Sequence, residues 1–127
     1  MNRLVVDVVP GEYAVTRLDP GTPVPAELFT AEGLVSVTST AAEVSVVTPL
    51  EHAPSGGRSE PGWRLLTVRG PLEFTLTGIM AALAGALAQA GVPLFAISTF
   101  DTDHLLVRDA DLARAVKALR EGGHEIN

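Results

Sequence analysis

Two aspartates and a histidine stand close together in the segment LFAISTFDTDHLLV, residues 94–107. Carboxylates and an imidazole at this spacing could transfer protons, bind a metal or pair with a cation. The segment begins and ends with apolar runs that are typical of buried strands, so Asp101, Asp103 and His104 would lie at one end of a sheet. In a strand from 103 to 107, Asp103 would share a face with core residues.

A carboxylate at Asp103 needs either water or a partner. Burying this carboxylate among core residues without a partner costs several kcal/mol. No Lys or Arg directly adjoins the DTD segment, so a cationic ligand group such as an α-ammonium would suit it. The alternative is a solvated turn, because Asp and Thr bond local backbone N–H groups. Spacing alone leaves both interpretations open.

Catalysis and metal binding have little support. His52, His104 and His124 show no metal-ligand spacing, and DTDH matches no helical or hairpin metal site. The chain contains no cysteine, which excludes thiol catalysis and disulfides. Phosphate-binding glycine loops and serine-nucleophile motifs are missing from the sequence. We expect no enzyme activity and no cofactor, with a small enzyme using Asp101, Asp103 and His104 as a minor alternative.

The composition limits the classes of partner that this protein could bind. The 127 residues carry a net charge of −6, with 5% aromatic residues and no Lys/Arg run, so nucleic acid and anionic membranes are poor partners. The uncharged stretch 74–100 is interrupted by Thr, Gly, Gln and Pro, and its helical part covers about half of the ~20 residues of a membrane span. Since no signal peptide is evident at the start, we expect a soluble, cytoplasmic protein.

The second half of the chain predicts an α+β domain. Thr77 can N-cap a helix that runs to Ala90 and ends at Gly91, and Asp109 can N-cap a second helix that ends at Gly122. Predicted strands occupy 63–70, 94–100, 104–107 and 124–126. The resulting order is β-α-β-β-α-β, the ferredoxin-like plan.

The first half predicts strands and little helix. The strands are 3–9, 12–18, 34–39 and 43–48, with a turn at Pro10-Gly11 between the first two and a hairpin joining the last two. This half could be a degenerate copy of the same plan, and we expect the halves to pack together. The predicted division is an N-terminal half 1–50, a Pro/Gly/Ser-rich linker 51–62 and a C-terminal domain 63–127.

Two glycine segments could expose backbone to a ligand. Gly91-Val92-Pro93 follows the first helix, where glycine permits conformations that other residues resist. Thr77-Gly78 begins that helix, where free N–H groups could bind a carboxylate. The alternatives are an ordinary helix-ending glycine and an ordinary N-cap without a ligand.

The segments GPLEFTLTGI, AGVPLFAISTFDTD, PGEYAVTRLDP and TSTAAEVSVVTP resemble those of ACT-domain proteins. More closely, the chain is similar to small bacterial tandem-ACT proteins related to the eukaryotic cytosolic arginine sensor. The resemblance covers nearly the whole chain. It implies ferredoxin-like units, two in tandem with the first helix-poor, that bind an amino acid or similar metabolite and regulate another protein.

The resemblance also implies which residues would contact the ligand. They belong to four segments of this sequence: Gly91, Val92 and Pro93; Thr99, Phe100 and Asp103; Ser45 and Val46; and Thr77 with Gly78. Asp103 matches an acidic ligand contact, while Ser45 and Val46 would meet the ligand across the interface between the two domains.

The resemblance has limits that bear on partners. The sensor has four ACT units and this chain has two at most, so a complete assembly would be a homodimer. No enzyme domain is attached, so a regulated enzyme would be a separate partner. The alternative function is a ligand-free ACT interaction module that dimerises with or regulates such an enzyme. In that case the Ala/Gly face of helix 78–90 would matter more than Asp103.

Overall fold

The computed structural model describes residues 3–72 and 77–127. They form two compact units, which we call unit 1 (Met1–Pro10 and Arg64–Asn127) and unit 2 (Gly11–Trp63). The strands and α-helices, in chain order, are β1 Val5–Leu18, β2 Ser36–Ser39, β3 Val44–Pro49, β4 Arg58–Val68, α1 Ile79–Gln89, β5 Leu94–Ser98, β6 Asp103–Arg108, α2 Leu112–Glu121 and β7 Glu125–Ile126. Short 3₁₀ helices occupy Ala26–Thr30, Leu50–His52 and Asp109–Asp111.

Unit 1 has the predicted order of elements. From β4 to β7 the chain runs β-α-β-β-α-β, which confirms the ferredoxin-like plan for this part. Strand β6 lies between β4 and β5, and β5 pairs antiparallel with β6 from Leu94↔Val107 to Ser98↔Asp103. The start of β1 adds a strand to this plan, because it neighbours β4 and also pairs parallel with β7.

The core of unit 1 lies between its sheet and its two helices. On α1 the buried side chains are Ile79, Leu83 and Leu87, which repeat every four residues, as the apolar face of a helix requires. They pack in one cluster with buried residues of the strands, including Leu66 and Leu105. This cluster fixes α1 across the sheet and so fixes where its first turn lies.

Both predicted N-caps are wrong. Gly78 precedes α1 in a left-handed conformation, with φ 79°, and no side chain caps the helix. Asp109 lies in a 3₁₀ turn, and α2 begins at Leu112 without a side-chain cap. The carboxylates near α2 bond arginines instead: Asp109 accepts from Arg64 at 3.2 Å and Asp111 from Arg114 at 2.7 Å.

Unit 2 consists of strands with short 3₁₀ helices. The predicted hairpin is confirmed, since β2 and β3 pair antiparallel from Ser36↔Val47 to Ser39↔Val44. Strand β3 also pairs with the second part of β1, from Tyr13↔Pro49 to Leu18↔Val44. Its core cluster contains four buried residues: Leu18, Leu28, Val44 and Val46.

The predicted turn at Pro10-Gly11 is wrong, because β1 is continuous from Val5 to Leu18. Proline lacks the N–H that a strand ladder uses. Pro10 falls after the pairing of β1 with β7, whose last bond joins the Val8 N–H to the Asn127 oxygen at 2.8 Å. It also precedes the first pair with β3, at Tyr13. The missing donor therefore interrupts neither the pairing with β7 nor the pairing with β3.

The predicted linker is shorter than expected. Strand β4 begins at Arg58, so residues 58–62 belong to a strand. The boundaries of units 1 and 2 also differ from the expected domain boundaries at 50 and 63. Strands β1 and β4 each contribute residues to both units. The boundaries of independently folding domains stay a prediction. No helix in the described ranges is long and apolar enough to cross a membrane.

Candidate functional site

A cavity of about 320 Å³ lies in unit 1, where the first turn of α1 meets the turn between β5 and β6. Its volume is at the lower end of the range of small-ligand sites, roughly 300–1,000 Å³. The lining residues come from the end of the β4 region, from the start of α1 and from the β5–β6 turn: Leu72, Gly78, Ile79, Met80, Ala81, Ser98, Thr99, Phe100, Asp101, Thr102 and Asp103.

Hydrogen bonds hold the β5–β6 turn in place. The carbonyl oxygen of Thr102 accepts from the Thr99 N–H at 2.9 Å and from the Thr99 hydroxyl at 3.1 Å. The Thr102 hydroxyl donates to the Val68 carbonyl at 2.6 Å, and the Leu72 N–H donates to the Asp101 carbonyl at 2.6 Å. The turn is therefore tied to the segment that follows β4, and this wall of the cavity is preformed.

Gly70 allows this close approach. A Cβ at Gly70 would lie 3.0 Å from the Asp101 carbonyl oxygen and 3.1 Å from the Thr102 Cβ. Such contacts are tighter than ordinary van der Waals packing. The absence of a side chain at Gly70 thus permits the turn to approach the end of the β4 segment.

Asp103 is the first residue of β6, and its half-buried side chain lines the cavity. Its Oδ1 accepts a hydrogen bond from the Ser98 hydroxyl at 2.6 Å, across the register pair Ser98↔Asp103. None of the ion pairs among residues 3–72 and 77–127 involves Asp103. The carboxylate is held in place by one hydroxyl and can accept a cationic group from a ligand.

The start of α1 supplies the opposite polarity. The Gly78 carbonyl accepts the first helical bond, from the Ala82 N–H at 2.9 Å. The N–H groups of the first helical residues have no partner inside a helix and sit at its positive end. Three of these residues, Ile79, Met80 and Ala81, line the cavity. A carboxylate and a helix start around one cavity suit a zwitterion.

The structure brings together four of the ten predicted ligand contacts. Gly78, Thr99, Phe100 and Asp103 all line the cavity. Phe100 is 76% exposed, so its ring lies at the surface of the molecule. Thr77 is exposed and precedes Gly78, but it is outside the lining.

Gly91, Val92 and Pro93 lie at the other end of α1, about 16 Å from its first turn by helix rise. Gly91 has φ 72°, and the Val92 N–H bonds the Leu87 carbonyl at 2.9 Å. This is the bonding of a glycine that ends a helix, so the predicted helix end at Gly91 is confirmed. Val92 is buried in the core of unit 1.

Ser45 and Val46 belong to β3 in unit 2. Ser45 pairs with Arg17, and Val46 pairs with Thr16. The Val46 side chain is fully buried in the core cluster of unit 2, and at this position β3 pairs with β1 on one side and with β2 on the other. The ligand contacts at Ser45 and Val46 stay predictions.

His104 follows Asp103 but turns to a different partner. Its Nδ1 lies 2.9 Å from the Thr67 hydroxyl. Burial lowers the pKa of His104 below its ordinary value of 6.5, and the nearby Asp103 carboxylate offsets part of that shift. Within the described residues, no three His, Asp or Glu side chains are grouped as metal ligands.

Several residues of the cavity lining were not predicted from the sequence. Ser98 could have been found from the run of hydroxyls in STF, because a predicted hairpin places it opposite Asp103. Leu72, Met80 and Ala81 gave no signal, since apolar residues at these positions are equally typical of a core.

The element order and sheet of unit 1 define a ferredoxin-like α+β domain with a ligand-sized cavity at the start of its first helix. Residues 58–121, about half of the chain, match the family model of the ACT domain. The chain therefore belongs to the ACT-domain family.

Curated relatives are similar over a limited segment. The human cytosolic arginine sensor for mTORC1 subunit 1 is 39% identical over 59 residues, which are 46% of this chain and 18% of the sensor. The sensor from Bos taurus gives the same values. The matched segment thus spans less than a fifth of these relatives.

Solved structures are similar over nearly the whole chain. A protein from Agobacterium tumefaciens matches with a TM-score of 0.90 and 35% sequence identity. The match covers 100% of this chain and 94% of that protein's chain. The regulatory subunit of aspartate kinase from Thermus thermophilus has a TM-score of 0.67 and 12% identity, covering 92% of this chain and 96% of its own. The second likeness is one of fold.

Proposed function

We propose that this protein is a non-catalytic regulator that binds an amino acid in the cavity of unit 1. The family supports regulation by small molecules, and the similar human protein is named as an arginine sensor. The single observation that carries the proposal is the pairing, in one cavity, of the Asp103 carboxylate with the first turn of α1. An amino acid carries the complementary groups, an ammonium for Asp103 and a carboxylate for the helix start, and its size matches that of the cavity.

The polarity of the cavity favours one orientation of the proposed ligand. Its α-carboxylate would accept hydrogen bonds from the N–H groups at the start of α1, beside Gly78. Its α-ammonium would donate to Asp103, whose Oδ1 is already positioned by Ser98. Leu72 and Phe100 would contact the side chain of the ligand.

The wider assembly follows from the family resemblance. We propose that unit 2 is a degenerate second ACT unit and that the chain is a homodimer controlling a separate enzyme. Outside the cavity of unit 1, further ligand contacts of such an assembly would come from Thr77, from Gly91, Val92 and Pro93, and from Ser45 and Val46. The proposed division into 1–50, a linker 51–62 and 63–127 stays with this assembly.

A thermal-shift screen against the twenty amino acids tests the ligand. A ligand at about 100 times its Kd stabilises by about 2.7 kcal/mol, which raises the Tm of a domain of this size by about 10 °C. We expect one amino acid to give this rise in the wild type and none in Asp103→Ala. Glu121→Ala removes a carboxylate on α2 that is outside the cavity lining, and it should respond like the wild type.

A flat screen, or an Asp103→Ala variant that binds as tightly as the wild type, would reject the site.

The second candidate is then the ligand-free interaction module. Its supporting observation is that α1 exposes three small residues on one side, Ala81, Gly85 and Ala88. Co-purification of a larger enzyme, lost in Gly85→Leu, would favour that function.

A further inference from the structure

Unit 2 contains a second cavity, of about 350 Å³. One wall is the loop between β1 and the 3₁₀ helix Ala26–Thr30. The other wall is the segment before β4, which the sequence predicts as a linker, and it contributes His52, Pro54 and Ser55. The Pro/Gly/Ser-rich stretch is thus part of a concave surface.

The walls of this cavity are fixed before any ligand arrives. Gly57 follows the lining residues of the second wall, and a Cβ there would overlap the Arg17 carbonyl oxygen of β1. That close packing attaches the segment to the strand. In the first wall, the N–H and the hydroxyl of Thr22 both donate to the Asp19 carbonyl, at 3.2 and 2.6 Å. A preformed cavity loses little entropy on binding.

The interior of the cavity is apolar. Leu18 and Leu28 line it and are 4% and 8% exposed, as members of the core cluster of unit 2. Val24 packs against that cluster and also lines the cavity. Rigid proline rings complete the lining, at Pro23, Pro25 and Pro54. A hydrocarbon group placed here would leave water for an apolar surface.

One carboxylate gives the cavity a charge. Glu27 lines it, and no ion pair or side-chain hydrogen bond within 3–72 and 77–127 engages the Glu27 carboxylate. Thr22 and Ser55 add hydroxyl oxygens, and His52 adds an imidazole that accepts a hydrogen bond when neutral. The lining therefore offers acceptors and one negative charge, which favour a donor with positive charge.

We propose that this cavity is a second, separate ligand site, which takes a small apolar amine. Its hydrocarbon part contacts Leu18, Val24 and Leu28, and its ammonium group pairs with Glu27. A cavity of this composition has the general form of a small-ligand site, with an apolar lining and a few polar groups. The site does not depend on the amino-acid site of unit 1.

A titration with 3-methylbutylamine tests the site on the full chain. Backbone amide signals in ¹H–¹⁵N NMR should shift and saturate for Thr22, Glu27, Leu28 and Ser55, with a Kd in the millimolar range. The neutral isostere 3-methylbutan-1-ol should bind about fivefold more weakly, the size of a partly exposed ion pair. Signals of the unit 1 cavity should stay in place, which keeps the two proposals distinguishable.

A pair of charge variants completes the test. Glu27→Gln should remove the difference between the amine and the alcohol. Glu32→Gln removes the same charge from an exposed position of unit 2 outside the lining, and it should retain that difference. Amide shifts that do not saturate, or equal affinity for the amine and the alcohol in the wild type, would overturn the proposal.

Discussion

At the residue scale, the proposed site depends on how firmly Asp103 is held. Its partner Ser98 lies on β5, and the hydroxyl donates across the hairpin at 2.6 Å. A carboxylate fixed by one hydrogen bond loses less freedom when it pairs with a ligand. Ser98 therefore acts on affinity through the position of Asp103.

We expect Ser98→Ala to weaken amino-acid binding about fivefold, or about 1 kcal/mol, the net value of a typical hydrogen bond, because Asp103 loses the bond that positions it. The free energy of unfolding without ligand should change little, since the Ser98 side chain is exposed. Calorimetric titration measures the affinity and urea denaturation the stability. Ser39→Ala, an exposed serine on β2, is the control. A large loss of stability in Ser98→Ala would show a structural role instead.

His104 gives the stability a pH dependence. Folding lowers its pKa, chiefly through burial, so between the folded pKa and 6.5 the unfolded chain binds more protons. The free energy of unfolding therefore rises with pH across that window. The stabilising contribution is complete above 6.5 and is lost as pH falls toward the folded pKa.

We expect urea denaturation of the wild type to show this fall in stability when the pH is lowered from 7.5 to about 5. His104→Gln keeps a side chain that can bond Thr67 but does not titrate. The difference in stability between the two proteins should shrink or reverse as the pH falls. A difference that is independent of pH would contradict the assignment.

At the element scale, replacing each of two glycines by alanine should change the free energy of unfolding in opposite directions. A Cβ at Gly57 would overlap the Arg17 carbonyl oxygen and lie 2.7 Å from the Leu18 Cδ2, whereas Gly85 on α1 faces open space. Gly57→Ala should lose about 1–3 kcal/mol by overpacking. Gly85→Ala should gain about 0.5–1 kcal/mol, because alanine favours the helix. Urea denaturation of both variants measures this, and a neutral Gly57→Ala would show that the loop can move away from β1.

The helices and the hairpin could be predicted because each follows a local pattern. The four-residue spacing of Ile79, Leu83 and Leu87 is visible in the sequence and reappears as the buried face of α1. The continuity of β1 through Pro10 could not be predicted, because it depends on which partner strand lies beside that residue. The carboxylates of Asp109 and Asp111 accept from Arg64 and Arg114 instead of capping α2, and Arg64 is far away in the sequence.

The cavity of unit 1 was only half visible in the sequence for a similar reason. The DTD segment marked the β5–β6 turn through its carboxylates. The facing wall is the start of α1, and its position depends on how the buried residues of α1 pack against strands that are distant in the sequence. Local sequence patterns therefore identified Asp103 as a candidate ligand contact. The cavity itself could be recognised only from the three-dimensional fold.

At the scale of the whole molecule, the proposed homodimer has a structural basis in β5. Among the described residues, this strand pairs with β6 on one side and ends the strand order of unit 1. Its residues, LFAIS, carry no charge and no proline, the features that usually protect an exposed strand edge. An edge of this kind favours pairing with a second copy.

We expect light scattering to give a molar mass twice the 13.3 kDa of one chain. Ala96→Lys adds a charge to an exposed position of β5 and should shift the protein toward the monomer. Ala41→Lys, at an exposed position before β3, is the matched control. A wild-type mass of one chain would contradict the dimer, and an unchanged mass in Ala96→Lys would place the interface elsewhere.

The pairing of β1 with β7 joins two strands that leave the ribosome at very different times. The Glu125 N–H donates to the Leu4 carbonyl and the Asn127 N–H to the Val6 carbonyl, each at 2.9 Å. A ribosome adding about 5–20 residues per second needs roughly 6–23 seconds to travel from residue 10 to 126. Throughout that time the first strand lacks this neighbour and Ile126 is missing from the core of unit 1. The nascent chain must therefore keep an apolar strand from pairing with other chains until β7 emerges.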